Sequence, residues 1–165
     1  MDKNTNKKRF SWTSVFLMFL KTLEDNGDLV AYKIEMDAFY GFIDEVLAAE
    51  KGEDTGILIC ITTSINQIQP AVPDHIFENP SRDTYTTLFL KVDYDKRKGR
   101  NTIQVISERE RFDITSEEDI VSFFRVNVLR DFRAQKYILF TWDHGNSYGI
   151  FKQKERVVKN NEKLA

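Results

Sequence analysis

Lys136-Tyr137-Ile138-Leu139-Phe140-Thr141-Trp142-Asp143-His144-Gly145-Asn146-Ser147-Tyr148-Gly149 is the stretch on which the reading of this chain turns. Residues 137–140 are a short apolar run of aromatic and branched side chains bounded by polar and turn residues. Such a run predicts a strand buried on both faces, as in a parallel sheet under helices. It closes on Trp142-Asp143-His144-Gly145, so a histidine stands where a buried strand meets solvent. In open α/β sheets the carboxyl ends of the strands are where ligands bind, and Gly145 allows a sharp turn or a close backbone approach. On position alone, a strand that stops at a polar turn containing a chance histidine stays open as the other reading.

Working outward, Thr115-Ser116-Glu117-Glu118 has the form of a capping box, with acids suited to the positive end of a helix. The helix it opens is expected to turn Ile120, Val121, Phe123, Phe124, Val128, Leu129 and Phe132 towards the core and to lead directly into the strand at Tyr137. Before it, residues 85–94 and 102–107 read as a β-hairpin around a charged tip at 95–101. No aromatic residues interleave with the basic tip, which reads as a solvated turn rather than a phosphate site. All three prolines, Pro70, Pro73 and Pro80, fall in residues 64–83, a long irregular connection that also carries His75. A metal shared by His75 and His144 lacks any supporting carboxylate spacing, so neither metal nor cofactor is expected.

Further upstream, residues 57–63 form a second buried strand around Cys60, read as an inert buried thiol. A single cysteine excludes an intrachain disulfide and a cysteine zinc cluster. Residues 31–50 place Ile34, Ala38, Phe42, Ile43, Val46 and Leu47 at helical spacing. Lys33, Glu35, Asp37, Asp44 and Glu45 lie opposite, and Gly52 fits the end of this amphipathic helix. Residues 12–20, rich in β-formers, read as a first buried strand rather than a signal peptide, since no small-residue cleavage site follows and the run is too short to span a bilayer. The expected location is the cytoplasm.

The order is strand, helix, strand, long loop, hairpin, helix, strand, histidine. Strand–helix–strand crossovers make this an α/β sandwich with a mainly parallel sheet, flanking helices and an inserted β-hairpin. Its 165 residues suit one domain, 10–151, between a basic tail at 1–9 and a charged tail at 152–165. A net charge of -2 gives no global signal for nucleic acid, and no membrane partner is expected; thirteen phenylalanines suit a packed interior.

The residues from Lys136 to Gly145 resemble the histidine strand of the clostripain family of cysteine peptidases, which has a caspase-like fold. In that family an apolar strand closes on Trp-Asp-His-Gly. The helix segment at 120–124 is similar to the one preceding that strand, and Trp12-Thr13 followed by Asp25-Asn26 and Leu29 resembles the family's opening strand and turn. The resemblance implies that His144 is the catalytic histidine, assisting a cysteine thiolate and protonating the leaving amine. It implies that Gly145 supplies a backbone N–H to the oxyanion, and that Trp142 and Asp143 shape the turn, orientation of the ring being the alternative role for Asp143. The substrate would be a polypeptide.

The chain departs from the family pattern after Gly149. The family's nucleophilic cysteine follows the next strand, whereas residues 150–165 contain no cysteine and no further apolar strand, and Cys60 lies mid-strand before the hairpin. The reading is therefore an incomplete caspase-like domain. It is the N-terminal part of a clostripain-like peptidase, inactive alone, whose partner is a second chain carrying the cysteine strand. A truncated or degenerate non-catalytic interaction module and an unrelated α/β binding module are the alternatives. The tail at 152–165, five basic side chains against two acidic and so net +3, is compatible with such a junction.

Overall fold

The computed structural model describes residues 9–20, 29–49, 52–78, 80 and 85–142. Among them five strands form one sheet, in the order β4-β3-β2-β1-β5. The first strand, β1 (Phe10–Phe19), is joined by helix α1 (Leu29–Ala48) to β2 (Thr55–Ser64). A short helix α2 (Ile65–Ile68) and a 3-10 turn (Gln69–Ala71) begin the long connection to the hairpin β3 (Tyr85–Asp95) and β4 (Arg100–Arg109). Helix α3 (Glu117–Phe123) continues as a π-helix (Phe124–Asp131) and leads into β5 (Ala134–Trp142). β1 pairs in parallel with β2 on one side and with β5 on the other, while β3 is antiparallel to both β2 and β4. The expected architecture, a mainly parallel sheet with flanking helices and an inserted hairpin, is the one observed.

The pleat sends alternate side chains of each strand to opposite faces. One face gathers Met18, Ile59, Ile61, Leu88 and Leu90 under Phe39, Ile43 and Val46 of α1, with Ile65, Ile68 and Phe77 from the long connection. The other gathers Val15, Leu17, Leu58, Cys60 and Phe89 under Ile114, Phe123 and Val128. Both layers are needed because β1 and β2 carry apolar residues on both faces, as central parallel strands do. Among the described residues no helix is long and apolar enough to cross a membrane.

Local chemistry sets the hairpin and the start of α3. Asp95 Oδ1 accepts from the backbone N–H groups of Arg97 (2.9 Å) and Lys98 (3.3 Å), and Gly99 takes the positive φ of 64° that closes the turn. Ser116, rather than Thr115, is the N-cap of α3, and its side chain accepts from Asp119 N.

Four expectations are corrected. Residues 137–140 form the predicted strand but are not buried on both faces. Tyr137 (39%), Ile138 (38%), Leu139 (52%) and Phe140 (44%) are all exposed, because among the described residues β5 is an edge strand paired only with β1. In α1 the core stripe is Met36, Phe39, Ile43 and Val46, whereas Ile34 is exposed and Glu35 buried. Ile43 and Val46 face the core as expected, with Phe42 and Leu47 packed against it, and the difference lies in the first half of the helix, where Met36 and Phe39 take the places expected of Ile34 and Ala38. Gly52 is not that helix's cap. Asn101 of β4 instead donates Nδ2 to the terminal carbonyls of Val46 (2.9 Å) and Ala49 (2.7 Å), a cap supplied from distant sequence. Val121 and Leu129 are exposed rather than core-facing. Val121 falls on the outer side of the α-helical turn that buries Phe123. For Leu129, the π-helical turns beyond Phe123 are wider than α-helical ones and shift the phase of the later side chains.

Candidate active site

β5 is placed by three local devices. Thr13 Oγ1 of β1 donates to Phe132 O at 3.0 Å, holding the end of the π-helix against the sheet. Phe10 N donates to Arg133 O at 2.9 Å, and Tyr137 Oη accepts from Ala134 N at 2.8 Å, fixing the first turn of chain into the strand. Along β5, Phe16 of β1 stacks on Phe140 at 4.6 Å between ring centroids, and Phe42 of α1 meets Trp142 edge-on at 6.1 Å. These aromatic contacts set the register Val15↔Leu139, Phe16↔Phe140 and Met18↔Trp142.

That register brings the carboxyl ends of β1, β2 and β5 to one edge of the sheet, since Met18 also pairs with Ile61. Trp142, the last described residue of the predicted motif, stands at this edge. Asp143, His144 and Gly145 lie outside the described residues and come directly after it in sequence. The last described residue before them thus stands at the edge where open α/β sheets bind ligands.

The same edge carries a hydroxyl-rich rim that the motif-based reading does not include. Thr62 and Thr87 share a hydrogen bond at 2.7 Å, Thr63 Oγ1 donates to Gln67 Oε1, and Ser64 N donates to the same oxygen at 3.3 Å. Ser64 Oγ, Thr86 Oγ1 and Gln67 Nε2 are buried and have no partner among the described residues. The available signal is the change of β2 from apolar residues to Thr62-Thr63-Ser64 just before its end, a pattern that an ordinary strand terminus also shows.

The other singled-out residues are elsewhere. Cys60 is fully buried in the middle of β2, and burial pushes its thiol far above the ordinary range, so it is held as the neutral, unreactive form. His75 belongs to the opposite side of the molecule: its Nε2 lies 3.2 Å from Glu108 Oε2 of β4. Among the described residues β4, whose Glu108 meets His75, and β5 are the two edges of the sheet, four strand spacings or about 19 Å apart. Among the described residues no group of three or more His, Cys, Asp or Glu side chains is arranged to hold a metal ion.

No family model matches the sequence, and no curated protein matches it. Solved structures do share the fold. A cysteine protease from B. fragilis matches with a TM-score of 0.51 and 15% identity, over 88% of this chain and 98% of that chain. A clostripain from Bacteroides thetaiotaomicron, crystallised with a peptide inhibitor, gives a TM-score of 0.47 at 15% identity, over 84% of this chain and 95% of that one. A secreted C11 cysteine protease from the same species, iotapain, gives 0.49 at 16% identity, over 84% of this chain and 31% of that one. The likeness is one of fold.

Proposed function

We propose that this chain supplies the catalytic histidine, His144, and an oxyanion N–H, that of Gly145, to a clostripain-like cysteine peptidase. In this reading the nucleophilic cysteine arrives on a second polypeptide, whose strand pairs with the outer edge of β5. The observation that carries the reading is the state of that strand. β5 is paired only with β1 among the described residues, leaves its other edge open, and exposes four consecutive apolar side chains. An open edge of this kind is a template for pairing with another chain, and a contiguous apolar surface marks an interaction site. The surface continues onto α1, where Ile34 and Ala38 are exposed on the helical flank that includes Phe42, the residue packed on Phe16 and Trp142.

The chemistry assigned to the site is acyl transfer. His144 takes the proton from the incoming cysteine thiol, and the thiolate attacks the scissile carbonyl of a polypeptide. The Gly145 N–H donates to the resulting oxyanion, and His144 returns its proton to the departing amine. Water then releases the acyl group from sulfur with the same histidine as base. Cys60 takes no part, being buried on a strand interior and held protonated.

The test is reconstitution. The chain is produced alone and together with the coding sequence that lies downstream in the genome. Alone it should turn over no peptide substrate. The co-expressed pair should form a stable complex that cleaves peptides, lose turnover on His144→Ala, and keep turnover on Cys60→Ala. Peptide cleavage by the chain alone that vanishes on Cys60→Ala would sink the reading.

A further inference from the structure

On the α1 face of the sheet, at the β4 side, a cleft of about 670 Å³ opens between α1, the connection at 70–75 and the first half of β4. Three walls make it. Helix α1 contributes Tyr40, Ile43 and Leu47, one flank at spacings of three and four residues. β4 contributes Asn101, Ile103 and Val105, which pair with Tyr94, Val92 and Leu90. Val92 and Leu90 pack under α1, so the pleat turns all three β4 side chains towards the helix. The connection contributes Val72 between Pro70 and Pro73. The inner wall is therefore aliphatic, and the volume is that of a small-molecule site.

The polar groups whose partners are fixed decide what kind of molecule suits it. Asn101 is 1% exposed, and its Nδ2 is spent on α1, on the carbonyls of Val46 at 2.9 Å and Ala49 at 2.7 Å. Those two bonds fix which way round the amide sits. Its Oδ1 is buried and has no donor among the described residues. A buried acceptor left without a donor is costly, and an O–H or N–H brought by a ligand removes that cost. His75 also lines the cleft, and its Nε2 lies 3.2 Å from Oε2 of Glu108. The neutral ring donates there, which leaves Nδ1, a second acceptor, as its remaining polar atom. The exposed side chains at the mouth carry both signs, Asp44 and Asp74 against Lys98 and Arg100, while Asp95 is held by the N–H groups of the hairpin turn. Such a rim selects no net charge.

We propose that this cleft is a binding site for an uncharged small molecule with an apolar body and a hydroxyl or N–H donor. The body lies against Ile43, Leu47, Ile103 and Val105, and Asn101 Oδ1 receives the donor. Among the described residues β4 is the edge of the sheet opposite β5, so the site is separate from the proposed peptidase centre and does not depend on it.

The experiment titrates para-propylphenol and its methyl ether, para-propylanisole, into the full chain, isotope-labelled at backbone and side-chain nitrogens and at isoleucine methyl groups. The two probes share an apolar body and differ in the donor. The phenol should bind saturably with a Kd below about 1 mM. The ether should bind about fivefold more weakly, the value of one neutral hydrogen bond. Methyl signals of Ile43 and Ile103 should shift with both probes, and those of Ile120 and Ile138 with neither. The side-chain amide of Asn101 should shift more with the phenol than with the ether, because a bond at Oδ1 polarises the Nδ2 protons. Ala71→Phe, at a half-buried position in the lining, should weaken both probes about tenfold by filling the cleft. If that variant misfolds by circular dichroism, the methyl shifts of the wild type locate the site. Equal affinity for phenol and ether, no saturable binding below about 1 mM, undiminished binding to folded Ala71→Phe, or shifts centred on Ile120 or Ile138 each overturn the proposal.

Discussion

Cys60 shows how position in a sheet decides the chemistry of a residue. It sits at the middle of β2, paired to Leu17 of β1 and Phe89 of β3, with no exposure. Desolvation penalises the thiolate and raises the pKa above its ordinary value of 9.0. The unfolded chain therefore releases this proton more readily than the folded one. The stability contributed is complete below about pH 9 and is lost as the pH rises above it. Relative to Cys60→Ala, the wild type should lose about 1.4 kcal/mol between pH 8 and pH 10 in denaturant melts. Iodoacetamide should leave the native thiol unlabelled across that range and label it once the chain is unfolded. Rapid labelling of the native chain would show that Cys60 is accessible and reopen its candidacy as a nucleophile.

At the scale of the element, β5 and β1 have nearly the same apolar content and opposite fates. Val15, Leu17, Met18 and Phe19 of β1 are buried because β1 has a strand on each side and helical layers on both faces. Among the described residues, 137–140 have one neighbouring strand, so the same kind of side chain stays half in water. Edge strands of soluble proteins are usually blunted by charge, proline or a bulge, and β5 has Lys136 at its start and none of these across residues 137–140. Leu139→Lys is therefore expected to change the melting temperature little, since the site is 52% exposed and substitutions at such surface positions fall within about 0.5 kcal/mol. The same substitution should reduce concentration-dependent self-association of the isolated chain in sedimentation velocity and abolish complex formation with the cysteine-bearing polypeptide. A destabilisation of several kcal/mol would mean that Leu139 is covered in the folded chain.

The whole molecule is a sheet with two unequal edges. β4 begins at a charged hairpin turn and is clamped from behind by the bonds of its Asn101 to the end of α1 and by the contact of its Glu108 with His75 of the long connection. Among the described residues β5 is held along β1, by the ring stack of Phe16 on Phe140 and by Phe42 of α1 against Trp142. Local stability tracks the number of buried neighbours. Amide hydrogen exchange on the isolated chain should accordingly find β1, β2 and β3 most protected and β5 much less so. Addition of the cysteine-bearing polypeptide should slow exchange in β5 by orders of magnitude and leave β4 unchanged. Protection appearing at β4 instead of β5 would place the partner on the wrong edge.

The sequence by itself determined everything that local physics controls. Apolar runs bounded by turn residues made β1, β2 and β5 strands, Asp95 and Gly99 made the hairpin, and the polar run before Ile120 capped α3. It also set Trp142 at the end of a strand, at the edge where α/β sheets bind ligands. What only the tertiary structure decided was the environment of those same residues. An apolar run cannot state whether it will be central or terminal in a sheet, because strand order is set by long-range pairing, so β5, apolar enough for an interior, lies open at the edge. The phase of α1 depends on which strands it covers, and the phase beyond Phe123 on a π-helical shift that no residue spacing announces. The Asn101 cap and the buried Glu108 contact join residues 52 and 33 positions apart in the chain. Such pairings exist only once the sheet has assembled, because the free energy that makes them comes from burying both partners together.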